Sequence, residues 1–277
     1  MKKFLSYLFV FLIIASSVFL TFHKKEEFLK SSTQYLPVEK LNKIIINARA
    51  RIEENPEDIF SYIEGGVALY QKGRDYYPEA VNLMQKAIKL GAADIRIFFY
   101  LAIMYDELNL SEKAFSYYEK FLRNRPQDFY MRLRYGNLFF HLNMYQSASE
   151  QYETALSIEP KNQTAMINLA LSYKARDMYD EALEKFKLAQ TVNPVLPPEI
   201  LIKIAETYLI KKDFISAETY YKKVIEKKPN SAPALFGLGE TYLNMNKKSE
   251  AKNCFQKVLS IEPNNLEAKK YIYQLNK

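Results

Sequence analysis

Two histidines, His23 and His141, and one cysteine, Cys254, are the side chains of this 277-residue chain best suited to attack, ligate or shuttle protons. His23 stands at the edge of an apolar run and His141 is the only other histidine. That excludes a histidine-rich metal site and disfavours Ser-His or Cys-His catalysis. Cys254 has no partner for an intrachain disulfide, and it precedes Phe255 at a position of buried type. It reads as a small packed or helix-surface thiol rather than a nucleophile. Gly65-Gly66 lacks the preceding strand and the following Gly-Lys-Ser/Thr of a phosphate loop. Glu112-Lys113 and Glu218/Lys222 read as solvated helix faces. No reactive constellation remains, so function must come from surface.

The elements that build that surface repeat. Pro126, Pro160, Pro194, Pro229 and Pro263 follow one another at steps of 34, 34, 35 and 34, and the same register meets Ala92 and Pro56 upstream. Residues 148–162 (ASEQYETALSIEPKN) and 251–265 (AKNCFQKVLSIEPNN) are one phrase, three units apart. Each unit places a small residue at Gly66, Ala102, Gly136, Ala170, Ala205 or Gly239. Three residues on stands an apolar, mostly aromatic one: Leu69, Tyr105, Phe139, Tyr173, Tyr208, Tyr242. Alanine follows at Ala114, Ala148, Ala182, Ala217 and Ala251, with Ala80 displaced by an apparent two-residue insertion. Then come bulky Met84, Tyr118, Tyr152, Phe186, Tyr221 and Phe255, and three residues later Ala87, Phe121, Ala155, Ala189, Val224 and Val258. Steps of three and four set these on helix stripes, where small residues admit a close neighbour and large ones fill the gaps. Each unit predicts helix, tight turn, helix. Two residues past each proline position stands a capping type: Asp58, Asp94, Asp128, Asn162, Ser231, Asn265. The junction Pro194-Val195-Leu196-Pro197-Pro198 breaks this rule where the spacing stretches by one.

This small–aromatic–alanine–aromatic–alanine–proline framework resembles the tetratricopeptide-repeat family. The resemblance covers residues 59–265 as six repeats (59–94, 95–128, 129–162, 163–197, 198–231 and 232–265). It implies an all-α fold, a right-handed superhelical solenoid of helix-turn-helix units. The family's usual Trp is replaced by Tyr62, Phe98, Arg132, Met166, Leu201 and Leu235. Residues 37–58 read as a preceding helix, and 266–277 as a capping helix carrying apolar Leu266, Ile272 and Leu275.

The resemblance further implies that the first helices line a concave groove holding a peptide. Its positions here are Phe99, Ile103, Leu133, Arg134, Asn137, Phe140, Ile167, Asn168, Ile202, Lys203, Glu206, Phe236 and Glu240. Some members clamp a peptide carboxylate with two asparagines and three basic residues. Asn137, Asn168 and Lys203 fall at three of those places, but Leu133 and Glu199 occupy the others, and Glu199 would repel a carboxylate. The asparagines remain candidates for a peptide's backbone groups, against the plainer reading that they cap or solvate helices. The groove suits an amphipathic or acidic segment.

Apolar residues at 48% and charged residues at 26% suit a folded domain, and seven glycines argue against a loop-rich or β-rich one. The net charge is +7, of which residues 1–30 carry +3. No Lys/Arg cluster forms a phosphate-binding stripe, so no nucleic-acid partner is expected, and no cofactor or metal either. Phe4–Phe22 is an uncharged, mostly apolar run after Lys2 and Lys3. At about 1.5 Å per residue it spans about 28 Å, enough for a bilayer core. It reads as an uncleaved anchor over residues 1–22 or as a signal peptide cut near Ala15-Ser16-Ser17, with residues 23–36 a polar tether. No cysteine follows to carry a lipid. The Met-Lys-Lys start places the domain outside the cytoplasmic membrane, while Lys24, Lys25 and Lys30 pull the other way.

The sequence thus supports a non-catalytic, membrane-anchored scaffold for protein partners in an envelope assembly such as a motor, secretion or pilus system. The rivals are a cytoplasm-facing adaptor for chaperone or client tails, and an accessory factor that recruits an enzyme.

Overall fold

The computed structural model describes residues 36–277, and no strand occurs among them. The proposed anchor and nearly all of its tether lie outside the described residues. Among the described residues no helix is long and apolar enough to cross a membrane. The chain forms two compact units that divide between Tyr117 and Tyr118.

The first unit contains α1 (Val38–Glu54), α2 (Ile59–Lys72), a 3-10 turn (Arg74–Tyr76), α3 (Tyr77–Lys89) and α4 (Ile95–Glu107). The unit boundary falls inside α5 (Ser111–Asn124). α1 buries Leu41, Ile45 and Ala48, one stripe at helical spacing. It stops at Glu54, with Asn55 extended and Pro56 next. α2 packs between α1 and α3, and its glycines are what let it fit. A Cβ on Gly65 would stand 3.2 Å from Ala48 and 3.1 Å from Leu83, and one on Gly66 would stand 2.9 Å from Met84. The irregular KGRDYYPEA segment opens on Gly73 at φ 118° and continues as the 3-10 turn, which absorbs the extra residues.

The second unit contains α6 (Phe129–His141), α7 (Tyr145–Ile158), α8 (Gln163–Ala175), α9 (Tyr179–Val192), α10 (Pro198–Ile210), α11 (Phe214–Lys227), α12 (Ala232–Asn244), α13 (Lys248–Ile261) and α14 (Leu266–Leu275). Consecutive helices pair as hairpins. The first helices α6, α8, α10 and α12 also touch in series, forming one layer. Within hairpins the small and bulky positions meet as their spacing predicts: a Cβ on Gly136 would stand 2.6 Å from the Tyr152 ring, and one on Gly239 would stand 2.8 Å from Phe255. Tyr152, Phe186, Tyr221 and Phe255 are each 1% exposed or less. Burying one such ring is worth about 1.5–3 kcal/mol. Gly237 extends the code between hairpins, its α-carbon lying against the ring of Tyr221.

Five of the six capping residues act as expected, with Asp58, Asp94, Asp128, Asn162 and Asn265 accepting from amides of the following helix. Ser231 does not. Pro233 stands at the second position of α12 and removes one of the amides a cap would serve. At the stretched junction α10 starts on Pro198 without a side-chain cap, and the inserted residue is used to bury Leu196 at 1% exposure. In the capping helix, Leu266 is 76% exposed and covers nothing. Ile272 and Leu275 pack on the core as expected, joined by Ala268 and by Tyr271, which stacks on Phe255 at 4.7 Å and 7°.

A second ruler, missed in the sequence, runs through the hairpin turns. Asn109, Asn143, Asp177, Lys212 and Asn246 all have φ of 59–62°. The amide after each reaches back to the carbonyl of the aromatic position: Leu110 to Tyr105, Met144 to Phe139, Met178 to Tyr173, Asp213 to Tyr208 and Lys247 to Tyr242, at 2.8–2.9 Å. This is the left-handed helix stop, which costs asparagine less than lysine.

Two outcomes follow. Lys212→Asn should raise stability by about 0.5–1 kcal/mol, read as a higher urea midpoint at unchanged slope. Gly136→Ala should lower it by about 1–3 kcal/mol, because Tyr152 is boxed in and must leave its rotamer.

Candidate functional site

The expected groove residues divide between the units. Phe99 and Ile103 lie on α4 in the first. Phe99 is half-buried and stands edge-on to Tyr100 at 5.2 Å. Ile103 is 0% exposed, so it is core and has no surface to offer a peptide.

The others share the α6–α8–α10–α12 layer. Leu133 and Phe140 pack on the small cluster of Ala148, Tyr152 and Leu169, and Phe140 meets Tyr145 edge-on at 5.3 Å. Ile167, Ile202 and Phe236 lie half-buried on the larger core. Arg134 donates to the Tyr130 hydroxyl at 3.0 Å.

The polar members join neighbouring helices. Asn137 Oδ1 accepts from the Tyr152 hydroxyl at 2.8 Å and from Asn168 Nδ2 at 2.9 Å. The buried ring that seals a hairpin thereby orients Asn137, and Asn137 orients Asn168. The side-chain Nδ2 of Asn137 and Oδ1 of Asn168 make no hydrogen bond within the described residues, leaving one donor and one acceptor side by side. That pair matches the carbonyl and N–H of a passing peptide. Lys203 donates to Glu206 at 3.1 Å, and Lys174 donates to the same carboxylate at 3.0 Å. Glu199 pairs with Lys228 at 2.8 Å. With Lys203 committed to Glu206, these positions do not assemble a carboxylate clamp.

A cleft of about 340 Å³ opens farther along the second unit, lined by Glu206, Tyr221, Phe236, Glu240, Glu262 and Glu267. Glu206 and Glu240 were legible as groove positions. Glu262, Glu267 and Tyr221 were not, because the first two arrive on the loop and helix that close the last hairpin. Their only sequence signal is proximity to the final proline, Pro263. Glu240 accepts from the Tyr271 hydroxyl at 3.1 Å. Burial pushes its carboxyl above the usual range, the Tyr271 bond opposes this, and Glu267 adds to the rise. Tyr221 is 1% exposed, and burial with Glu206 and Glu240 nearby pushes its phenol upward as well. The end of the layer where an acidic segment seemed suited is therefore itself acidic.

The remaining chemical candidates are quiet. Cys254 is buried and its thiol is pushed up by burial, away from the nucleophilic thiolate. His141 is exposed at the end of α6.

A carboxyl whose folded pKa is raised stabilises the fold below its unfolded pKa, and that contribution is lost as pH rises through the folded value. Glu240→Gln should therefore raise Tm at pH 7. The difference from wild type should shrink as the pH is lowered into the carboxylate range, read by thermal melts across that window.

Comparison with known proteins bears on the framework. Family models described as tetratricopeptide repeat match residues 64–129, 130–162 and 208–271, together more than half of the chain. No curated protein matches. Among solved structures, Pseudomonas aeruginosa pilF aligns at 18% identity with a TM-score of 0.59, covering 79% of this chain and 97% of its own. The MamA protein aligns at 20% identity and TM-score 0.58, covering 62% and 94%. A tetratricopeptide repeat protein from Parabacteroides merdae aligns at 21% identity and TM-score 0.56, covering 91% and 98%. At such identities these likenesses speak to the fold alone. Helical hairpins closed by a ring on a small residue, repeated at the proline ruler and matched by repeat models over both units, place the chain in the tetratricopeptide-repeat family.

Proposed function

We propose that this chain is a non-catalytic scaffold that holds an extended segment of a partner protein along the α6–α8–α10–α12 layer. The observation that carries this is the asparagine pair. Asn137 and Asn168 sit 31 residues apart in sequence and are joined by a hydrogen bond that leaves Asn137 Nδ2 and Asn168 Oδ1 without a hydrogen bond among the described residues. The Tyr152 hydroxyl fixes Asn137, so little ordering remains to be done on binding. Half-buried Leu133, Phe140, Ile167, Ile202 and Phe236 supply apolar contact along the same layer. Recognition of this kind reads backbone and a few side chains and requires no reactive group.

The scaffold is tethered to the cytoplasmic membrane through residues 4–22, with the repeats on its outer side, serving an assembly of the cell envelope. The support for this is the uncharged run after Lys2 and Lys3. A cytoplasm-facing adaptor would use the same layer, and topology separates the two. Protease added to spheroplasts should digest the repeats; full protection would place them inside and favour the adaptor.

The binding claim has its own check. Crosslinking in native membranes should recover a partner with the wild-type chain and lose at least nine-tenths of it with Asn137→Ala/Asn168→Ala, at equal abundance and unchanged helicity. Undiminished recovery would remove the asparagine pair from the interface.

A further inference from the structure

The cleft between α10, α12 and α14 carries more negative charge than the fold requires. Glu206 is neutralised by Lys174 and Lys203. Among the described residues Glu267 pairs only with Lys270, at 3.9 Å and largely in solvent. Among the described residues Glu240 and Glu262 have no cation within 4.0 Å; their partners are the neutral Tyr271 hydroxyl and Asn265 amide. Of Glu240, Glu262 and Glu267 only Glu240 is half-buried, and burying its carboxylate without a cation is costly to a chain at rest, while Glu262 and Glu267 stand exposed at the rim. They stand here although the whole chain is basic, at +7.

A second observation is independent of the charges. Tyr221 is 1% exposed, lines the cleft, and its hydroxyl makes no hydrogen bond within the described residues. Packing fixes it there, because its ring and hydroxyl lie against the α-carbon of Gly237, where even a methyl group would clash at 2.3 Å. The hydroxyl itself is not sealed from solvent, so water or a ligand in the cleft can serve as its partner. The aromatic wall of Phe236 stands beside it, edge-on to Phe255 at 5.5 Å. Carboxylates, a hydroxyl and an aromatic face within about 340 Å³ suit the head and stem of a long cationic side chain. Among the described residues no three His, Cys, Asp or Glu side chains converge as metal ligands would, so the geometry favours an organic cation.

We infer that this cleft is a specificity pocket for a lysine or arginine side chain of the bound partner segment, held by Glu240 and Glu267 with Tyr221 at its floor. The inference deepens the scaffold reading and rests on it: the asparagine pair holds backbone, and the cleft selects a basic residue farther along the same layer.

The test uses the full chain in a zwitterionic detergent. The probes are a fluorescein-labelled Gly/Ser peptide bearing three spaced arginines and a matched peptide bearing glutamates, followed by anisotropy. The basic peptide should bind at least about tenfold more tightly than the acidic one. Glu240→Gln/Glu267→Gln should weaken it by about tenfold and Tyr221→Phe by a few-fold, while Glu112→Gln on α5 should leave it unchanged. Circular dichroism melts establish that each variant is folded; Tyr221→Phe keeps the ring, so it still reports should the double variant unfold. Equal or tighter binding of the acidic peptide would overturn the inference, as would wild-type affinity in the folded variants. If no basic peptide binds while asparagine-dependent crosslinking persists, the pocket fails and the scaffold stands. If the crosslink is independent of the asparagines while the basic peptide binds through Glu240 and Glu267, the pocket stands and the asparagine reading fails.

Discussion

A ring laid on a residue too small to resist it is the contact from which the second unit is built. Tyr152 on Gly136 and Phe255 on Gly239 close their hairpins, and Tyr221 on Gly237 joins one hairpin to the next. Each contact needs both partners: the ring supplies buried area, and the missing side chain lets two helix backbones come close enough to bury it. The left-handed stops at Asn143, Asp177, Lys212 and Asn246 then fix where each hairpin turns. The rest is arranged by repetition, since every copy restores the same geometry for the next.

That repetition explains how polar side chains one repeat apart come to meet. Equivalent positions on α6, α8, α10 and α12 face their counterparts one repeat away. Polar residues there bond across the layer instead of dissolving it: Asn137 with Asn168, Lys174 with Glu206, and Glu240 with Tyr271. The first rung is grafted onto the core, because Asn137 takes the hydroxyl of the ring that seals its own hairpin. The last rungs leave carboxylates in excess, so the layer changes character along its length, from paired amides to negative charge.

The framework was legible in the sequence because it is periodic. The proline ruler, the small and large positions and most caps could be read from spacing alone. Errors fell where one residue's fate depends on its neighbours. Ser231 has the chemistry of a cap, but Pro233 removes one of the amides it would serve. Ile103 has a groove register but is wholly buried. Leu266 is apolar but faces solvent, while Ile272 and Leu275 pack on the core as expected and Tyr271 joins them. The asparagine pair was visible as residue types, but not that each is the other's partner. The acidic cleft was half visible, because Glu262 and Glu267 reach it only through the closing turn before α14. Periodicity reveals what every repeat shares, and this site draws on what one repeat does alone.

The central proposal is that a partner is recognised on the layer of first helices and nowhere else on the second unit. Site-specific photo-crosslinking tests this most directly, with a photoreactive residue placed at Asn168 on α8 or at exposed Lys187 on α9, in native membranes. The account predicts a discrete crosslinked partner from position 168 and none from position 187. The same partner captured from position 187, with position 168 silent, would contradict it.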